Sequence, residues 1–233
     1  MRTQESPSPF GADAPLPSPL KGRGGYAVKE CFLTLQGEGV QAGSRAVFLR
    51  FAGCNLWSGR EQDRASALCN FCDTDFIGTD GEGGGKFAAA DALADRVAGL
   101  WGASEERRLV VVTGGEPMLQ LDSALVDALH ARGFRVAVET NGTLPAVAEV
   151  DWLTVSPKAG TDVVQRSGDE LKLVWPQAGI DPAEIEQWAF DHFLVQPMDC
   201  VDGKAAIAAA VELAMERPKW RLTLQAHKVV GLP

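Results

Sequence analysis

The stretch Leu109-Val-Val-Val-Thr-Gly-Gly-Glu-Pro117 decides the fold of this chain. Its apolar half predicts a buried strand over residues 108–113, since a continuous run of apolar and β-branched side chains suits a sheet covered on both faces. The Gly-Gly-Glu-Pro turn follows, with Pro117 at the first position of a helical turn. A helix at residues 121–132, closed by Gly133, and a strand at residues 134–139 come next. This order indicates a βαβ unit with parallel strands.

The same alternation extends in both directions from this unit. Parallel strands with crossover helices form either a β/α barrel or an open sheet, and a complete barrel typically needs ~250 residues. The chain has only 233 residues. We therefore predict an α/β fold, a partial (incomplete) β/α barrel with about six core strands and reduced helices. Further strands are predicted at residues 27–35, 45–51, 152–155, 171–174, 193–196 and 221–225, and further helices at 86–101, 182–188 and 205–217.

Composition separates the first residues from the rest. Five of the 13 prolines fall within residues 1–25, among Ser, Gly and Asp, and no apolar segment follows Arg2. Such a composition cannot bury a core, nor does it match a signal peptide. We predict a disordered leader over residues 1–25 and a single domain over residues 26–233.

Charge and cysteine content exclude several classes of protein. The net charge is −9 and there is no run of Lys or Arg, so a nucleic-acid partner is not expected. No apolar stretch approaches the ~20 residues of a membrane span. The five cysteines are odd in number and three are clustered, which does not resemble a disulfide framework. We predict a reduced, cytoplasmic protein.

The clustered cysteines, Cys54, Cys69 and Cys72, suggest a metal site. Three thiolates can hold three corners of an iron–sulfur cluster and leave one iron open for chemistry. A dithiol redox motif would leave Cys54 without a role. A closed zinc site in a non-catalytic binding module remains an alternative. Its fourth ligand would have to come from distant residues, namely His130, His192, His227, Cys31 or Cys200.

The cysteine pattern together with the Gly-Gly-Glu-Pro turn resembles the radical S-adenosylmethionine (SAM) superfamily. Three residues usually separate the first two cysteines there, whereas fourteen do here. Other motifs resemble one family within it, the 7-carboxy-7-deazaguanine synthases, some of which carry this inserted loop. The likeness covers residues 26–233. The motifs are FLTLQGEG (32–39), FLRFAGCNLW (48–57), CDTD (72–75), ETNG (139–142), SPK (156–158) and QPMD (196–199).

The resemblance implies a radical SAM lyase of queuosine and deazapurine biosynthesis. Such an enzyme converts 6-carboxy-5,6,7,8-tetrahydropterin to 7-carboxy-7-deazaguanine with loss of ammonia. The open iron of a [4Fe-4S] cluster would bind S-adenosylmethionine, and the resulting radical would take hydrogen from carbon 6 of the pterin. No catalytic group is implied beyond this cofactor-derived radical, and the protein positions and shields it. A homodimer, and a flavodoxin-type or other reductase as electron donor, are also implied. Another radical enzyme, such as a glycyl-radical activase or a tRNA-modifying enzyme, is the alternative.

The resemblance also implies a set of ligands. Cys54, Cys69 and Cys72 would bind the cluster, and the Thr74 hydroxyl would bind Mg²⁺, a cation that takes oxygen ligands. The alternative is that Thr74 only caps a turn. The expected SAM-binding residues are Phe71, Cys72, Asp73, Gly115, Ser156, Pro157, Lys158, Gln196, Pro197, Met198 and Asp199. The expected substrate-binding residues are Leu35, Gln36, Gly37, Glu38, Arg50, Thr113 and Pro233.

Two further features bear on these predictions. Arg50 interrupts the apolar strand at residues 45–51, and a buried guanidinium needs an anion. The substrate carboxylate or a structural Asp would provide one. Residues 57–68, between the first two cysteines, have no derivable role. They are expected to form a small helix over the cluster or a docking face for a reductase.

Overall fold

The computed structural model describes residues 25–200 and 202–232. The predicted leader, except Gly25, and Pro233 lie outside the described residues. Two 3-10 helices occur at Glu61–Ser66 and Pro117–Leu119. The strands are β1 (Tyr26–Leu35), β2 (Arg45–Phe51), β3 (Gly85–Phe87), β4 (Leu109–Gly114), β5 (Arg135–Thr140), β6 (Trp152–Val155), β7 (Ser167–Trp175), β8 (Ala189–Pro197) and β9 (Trp220–Leu222). The α-helices are α1 (Ala90–Trp101), α2 (Ser123–His130), α3 (Pro182–Ile185), α4 (Gly203–Glu216) and α5 (Ala226–Val230).

All nine strands of the described chain form one sheet in the order β3-β1-β2-β4-β5-β6-β7-β8-β9. Strand β1 is antiparallel to both of its neighbours. The other seven strands, β2 and β4 to β9, pair in parallel. Six of these seven have four or more residues, and β9 has three. The predicted α/β class and the incomplete barrel with about six core strands are confirmed.

The helices are reduced, as predicted. Helix α3 has four residues, and the described chain contains no helix between β5 and β6 or between β6 and β7. Helix α2 is set by its cap, because the Asp122 carboxylate accepts a hydrogen bond from the backbone N–H of Leu125 at 3.1 Å. Its apolar side chains Leu125, Val126 and Leu129 are buried against the sheet. The main core therefore lies between the sheet and its helices.

Several predicted element limits are wrong. The helix expected at residues 86–101 begins only at Ala90, because Gly85–Phe87 pairs with β1 instead. Local helical spacing carries no information about that distant partner. Strands β7 and β8 are longer than predicted, and the helix expected at residues 182–188 ends at Ile185. The strand expected at residues 221–225 is only Trp220–Leu222, and α5 follows at Ala226–Val230, where no element was predicted.

The parallel strands all end at the same edge of the sheet, as in a barrel. The loops that follow β2, β4, β5, β6 and β8 carry the cysteines and the Gly-Gly-Glu-Pro, ETNG, SPK and QPMD motifs. Motifs that are far apart in the chain are therefore brought to one face.

Candidate active site

A cavity of about 440 Å³ lies at this carboxyl-terminal edge. A second cavity, at Gln36, Glu38 and Glu139, is far smaller, with a volume of about 10 Å³. Most of the predicted cluster, cofactor and substrate residues share the larger cavity. They are Leu35, Gln36, Glu38, Arg50, Cys54, Cys69, Phe71, Cys72, Asp73, Thr74, Thr113, Gly115, Ser156, Lys158, Gln196, Pro197 and Asp199.

Three predicted residues are near the cavity but do not line it. These are Gly37, Pro157 and Met198. A Cβ atom at Gly37 would lie 2.1 Å from His227 Nδ1, so the glycine lets the C-terminal segment approach closely. His227, against which Gly37 lies, does line the cavity.

The three clustered thiols face this cavity together. Cys69 donates a hydrogen bond to Cys72, which lowers the pKa of Cys72 to about 6 and raises that of Cys69. Burial raises the pKa of Cys54, whose Sγ accepts from the Leu56 backbone N–H at 3.4 Å. No three His, Cys, Asp or Glu side chains of the described residues converge tightly enough for a single metal ion. Three separate thiols fit an iron–sulfur cluster, in which each sulfur binds a different iron.

Glu116 anchors the Gly-Gly-Glu-Pro turn from inside the protein. Its fully buried carboxylate accepts hydrogen bonds from Met118 N at 2.9 Å, Thr140 Oγ1 at 2.7 Å and Asn141 N at 2.8 Å. Burial raises the pKa of Glu116, and these three bonds partly offset that rise. The carboxylate thus joins the end of β4 to the end of β5 and has a structural role.

Gly115 brings the same turn against the cysteine loop. A Cβ atom there would lie 2.3 Å from the Gly53 carbonyl oxygen and 2.7 Å from Cys54 Cβ. The next residue, Glu116, donates its backbone N–H to the Gly53 carbonyl at 3.0 Å. The close approach of this turn to the loop that carries Cys54 therefore requires a residue without a Cβ atom at position 115.

A buried lysine lies among carboxylates in the cavity wall. Lys172 Nζ forms a short ion pair with Glu38 and lies 3.6 Å from Glu139 Oε1. Gln225 Nε2 donates to Glu38 at 2.9 Å, and Gln36 Nε2 donates to Glu139 at 3.0 Å. Burial alone would raise the pKa of Glu38, but Lys172 holds it below its usual value. Burial likewise opposes the charge of Lys172, yet Glu139 and Glu38 raise its pKa.

Arg50 has a partner within the chain. Its Nε donates to Glu30 Oε1 at 2.7 Å across the β1–β2 pair, and both side chains line the cavity. The structural alternative predicted an Asp, and the residue found is a Glu. Thr113, level with Arg50 on β4, donates from Oγ1 to Glu139 at 3.4 Å.

Two predicted cofactor residues show how the cavity is arranged for a polar ligand. Lys158 Nζ donates to the carbonyl and the hydroxyl of Ser156, both at 2.7 Å, and burial lowers its pKa. Gln196 Oε1 is buried with no hydrogen-bond partner among the described residues. An unpaired buried acceptor costs about 1–3 kcal/mol. A ligand that donates a hydrogen bond, such as an ammonium or amino group, fits this position.

The C-terminal segment closes one side of the cavity. Lys228 Nζ donates to Asp73 at 2.7 Å and to Asp199 at 2.5 Å, and Gln225 also donates to Asp73. Two predicted SAM-binding carboxylates are thereby joined by α5. Sequence reasoning missed Lys228 and named His227 only as a possible zinc ligand, because no local pattern connects them to residues that lie so far back in the chain.

The buried Lys172 and Glu139 were also missed, although the sequence contained a signal. Lys172 interrupts the apolar run Leu171-Lys-Leu-Val174, just as Arg50 interrupts β2. A charge at an otherwise buried strand position needs a partner or a ligand. The criterion applied to Arg50 would have selected Lys172 as well.

Comparisons with known proteins identify relatives of this chain. The family model of the Radical SAM superfamily matches residues 63–170. A 7-carboxy-7-deazaguanine synthase of Bordetella pertussis is 59% identical over 208 residues, which are 89% of this chain and 99% of that protein. One of Caulobacter vibrioides is 61% identical over 208 residues, with the same coverage of both chains. The crystal structure of QueE from Escherichia coli is similar with a TM-score of 0.64 and 30% identity, covering 87% of this chain and 95% of that one.

The match to the family model includes Cys69 and Cys72. Among the described residues, no helix is long and apolar enough to span a membrane. Membership of the superfamily implies a [4Fe-4S] cluster and S-adenosylmethionine, and the three thiols beside an unpaired acceptor fit both. The likeness predicted from the sequence motifs is confirmed, and the chain belongs to the 7-carboxy-7-deazaguanine synthase family of radical SAM enzymes.

Proposed function

We propose that this chain is a radical SAM lyase that converts 6-carboxy-5,6,7,8-tetrahydropterin to 7-carboxy-7-deazaguanine with loss of ammonia. One observation carries the proposal most directly. The three thiols share a single cavity with one arginine, three lysines and six carboxylates, and these charged groups suit a small, charged, heteroaromatic substrate. Relatives of 59% and 61% identity bear the name of this activity.

We assign the cofactor roles to the residues that line the cavity on the cysteine side. Cys54, Cys69 and Cys72 would hold the cluster. When bound, the cluster and S-adenosylmethionine supply the radical that removes a hydrogen from the substrate. Gln196, with its unpaired Oε1, would accept a hydrogen bond from S-adenosylmethionine. The remaining proposed contacts are Phe71, Cys72, Asp73, Gly115, Ser156, Pro157, Lys158, Pro197, Met198 and Asp199.

We assign the substrate-binding roles to the residues that line the rest of the cavity. Arg50 would bind the pterin carboxylate through the guanidinium nitrogens that do not contact Glu30. Glu38 and Glu139 would accept hydrogen bonds from the guanidine-like edge of the pterin, and Lys172 keeps Glu38 ionised for this. Leu35, Gln36, Gly37 and Thr113 belong to the same proposed substrate site, as does Pro233 beyond the described residues.

The proposed Mg²⁺ site is at Thr74. Its side chain lines the cavity between Asp73 and Asp75, directly after the third cysteine. Mg²⁺ keeps several water ligands and uses few protein groups, so one hydroxyl together with the substrate carboxylate would be sufficient. The ion would hold that carboxylate close to the cluster.

The chain's own contribution is binding, orientation and exclusion of water. Leu56, Trp57, Phe71 and Phe76 form an apolar part of the cavity wall beside the thiols. A dry wall protects a reactive radical from side reactions. A homodimer, a cytoplasmic location and a flavodoxin-type or other reductase complete the proposal by resemblance to the family, with no nucleic-acid partner, as the net charge of −9 favours.

The test is an anaerobic assay of reconstituted enzyme. Protein carrying the cluster is mixed with reductant, S-adenosylmethionine, Mg²⁺ and carboxytetrahydropterin, and the deazapurine and ammonia are measured. We expect equal amounts of both products. Cys69→Ser should abolish the cluster absorbance and the activity, whereas Cys200→Ser, exposed and not lining the cavity, should retain both. A cluster-loaded enzyme that forms no deazapurine would refute the assignment, and colourless protein with one zinc per chain would refute the cluster itself.

A further inference from the structure

Apart from Trp57, which lines the cavity, the insertion at residues 57–68 has no part in the function proposed above. It contains the 3-10 helix Glu61–Ser66, which buries none of its own residues. The insertion nevertheless packs on the chain just after the third cysteine. The Trp57 ring meets the Phe76 ring edge-on at 5.6 Å, and a Cβ atom at Gly59 would lie 2.6 Å from Ile77 Cγ1. The insertion is therefore folded against the cysteine loop instead of extending into solvent.

Arg64 is the centre of this contact. Its Nη1 donates hydrogen bonds to two backbone carbonyls, that of Asn70 at 3.1 Å and that of Cys72 at 3.0 Å. Its guanidinium carbon lies 4.1 Å above the Trp57 ring, which is a cation–π distance. The planar guanidinium can make these contacts at the same time, which a lysine cannot.

The ion pair of Arg64 with Glu61 does not explain this geometry. Arg64 Nε lies 2.8 Å from Glu61 Oε2, but the Glu61 side chain is 78% exposed. Exposed pairs of this kind contribute about 0–1 kcal/mol. The contacts of Arg64 with the cysteine loop are the ones that hold a functional segment in place.

Trp57 connects Arg64 to the first cysteine. The backbone N–H groups of Leu56 and Trp57 both donate to the Cys54 sulfur. Trp57 is itself held by its Nε1–H, which donates to the Arg60 carbonyl at 3.2 Å. Hydrogen bonds to the ligating sulfurs help to set the reduction potential of an iron–sulfur cluster. One arginine thus restrains the backbone of Cys72 and, through Trp57, the hydrogen bonds to Cys54.

We propose that Arg64 is a positioning residue for the cluster, and that the insertion exists to place it. By fixing the Cys69–Cys72 turn relative to Cys54, Arg64 keeps the three sulfurs at a spacing the long insertion would otherwise leave free. It also keeps the N–H···S bonds to Cys54 aligned. This inference rests on the proposed cluster site, and it assigns a role to residues 57–68 that does not require a docked reductase.

The test compares Arg64→Ala and Arg64→Lys with Arg60→Ala as a matched control. Arg60 belongs to the same insertion and is exposed, and its side chain has no hydrogen-bond or ion-pair partner among the described residues. Each reconstituted protein is examined for iron content, the rate of iron loss to a chelator and the midpoint potential of the cluster. The thermal midpoint of each apo-protein reports folding separately.

We expect Arg64→Ala to lose iron about tenfold faster than wild type, a factor that corresponds to about 1.4 kcal/mol. Its midpoint potential should become more negative, because weaker N–H···S bonds stabilise the reduced cluster less. Arg64→Lys should shift in the same direction by a smaller amount, and Arg60→Ala should match wild type. If Arg64→Ala fails to fold, the cluster midpoint potential of Arg64→Lys tests the inference in its place.

If both Arg64 variants lose iron at the same rate as Arg60→Ala and have the same cluster midpoint potential, the inference is overturned. A wild-type protein that binds no cluster would instead overturn the proposed function, so the two failures are distinguishable.

Discussion

Replacing Lys172 by methionine is expected to destabilise the apo-protein by about 3–5 kcal/mol at pH 7, the usual cost of breaking a buried ion pair. The side chains of Lys172, Glu38 and Glu139 are only 6%, 14% and 22% exposed. A pair of unit charges 4 Å apart interacts by about 4 kcal/mol at an effective dielectric constant of about 20. Lys172 has two such partners, and desolvation of its own charge offsets part of the gain. Methionine fills a similar volume, so the loss is mainly electrostatic.

The pH dependence of this destabilisation shows whether it comes from the buried charge of Glu38. In the wild type, burial would raise the pKa of Glu38, but Lys172 holds it below the usual 4.5. The stability that the Lys172–Glu38 pair contributes is fully present at pH values above the pKa of Glu38 in the unfolded chain. It is lost as the pH falls through the lower pKa of Glu38 in the folded protein. In the variant, burial dominates and raises the pKa of Glu38, so acid protonates the carboxylate and relieves its burial cost. The deficit relative to wild type should therefore shrink from about pH 7 to about pH 5.

The measurement is urea denaturation of both apo-proteins at these two pH values. With a slope of roughly 3 kcal/mol/M, the urea midpoint of Lys172→Met should fall by roughly 1–1.7 M at neutral pH. Lys204→Met, on the exposed face of α4, is the matched control and should stay within about 0.5 kcal/mol of wild type. A deficit below about 1 kcal/mol, or one that does not change with pH, would contradict the argument.

Three further outcomes are expected. Thr74→Ala should form product at a rate that no longer rises with added Mg²⁺, while Thr74→Ser keeps the response; an unchanged Mg²⁺ dependence in the alanine variant would count against this ligand. Gly115→Ala should lower the iron content, since its Cβ would lie 2.3 Å from the Gly53 carbonyl oxygen, and normal iron loading would show that the loop can yield. Glu116→Ala leaves three buried hydrogen-bond donors unpaired, so it should lower the free energy of unfolding, measured in urea, by about 3 kcal/mol or more. A loss under about 1 kcal/mol would mean that water replaces the carboxylate as their acceptor.

Much of the fold was predictable because parallel strands carry a local signal. The run from Leu109 to Val112 is apolar throughout, and Thr113 and turn residues follow it directly, so the strand was found with its end within one residue. Strand β3 was missed for the opposite reason. Its three residues are stable as a strand only through their pairing with Tyr26, Ala27 and Val28.

The residues of the candidate site likewise include some that the sequence identified and some that only the structure identified. Residues in short motifs, such as Cys69 and Cys72, were selected from sequence and line the cavity. Lys228 was not selected, because its significance lies in two carboxylates, Asp73 and Asp199, that are distant in the chain. Arg50 was correctly identified as needing an anion, but only the β1–β2 register named Glu30.

The sequence by itself determined the chemistry available to this protein. The three thiols, the glycine turn and the motif set indicated the cluster, the cofactor and the family, because those properties depend on residue type and local spacing. The tertiary structure alone decided which charges face each other. It placed Lys172 between Glu38 and Glu139, and Arg64 against the cysteine loop. Electrostatic and hydrogen-bonding energies depend on distances of a few ångströms, and such distances exist only after the chain has folded.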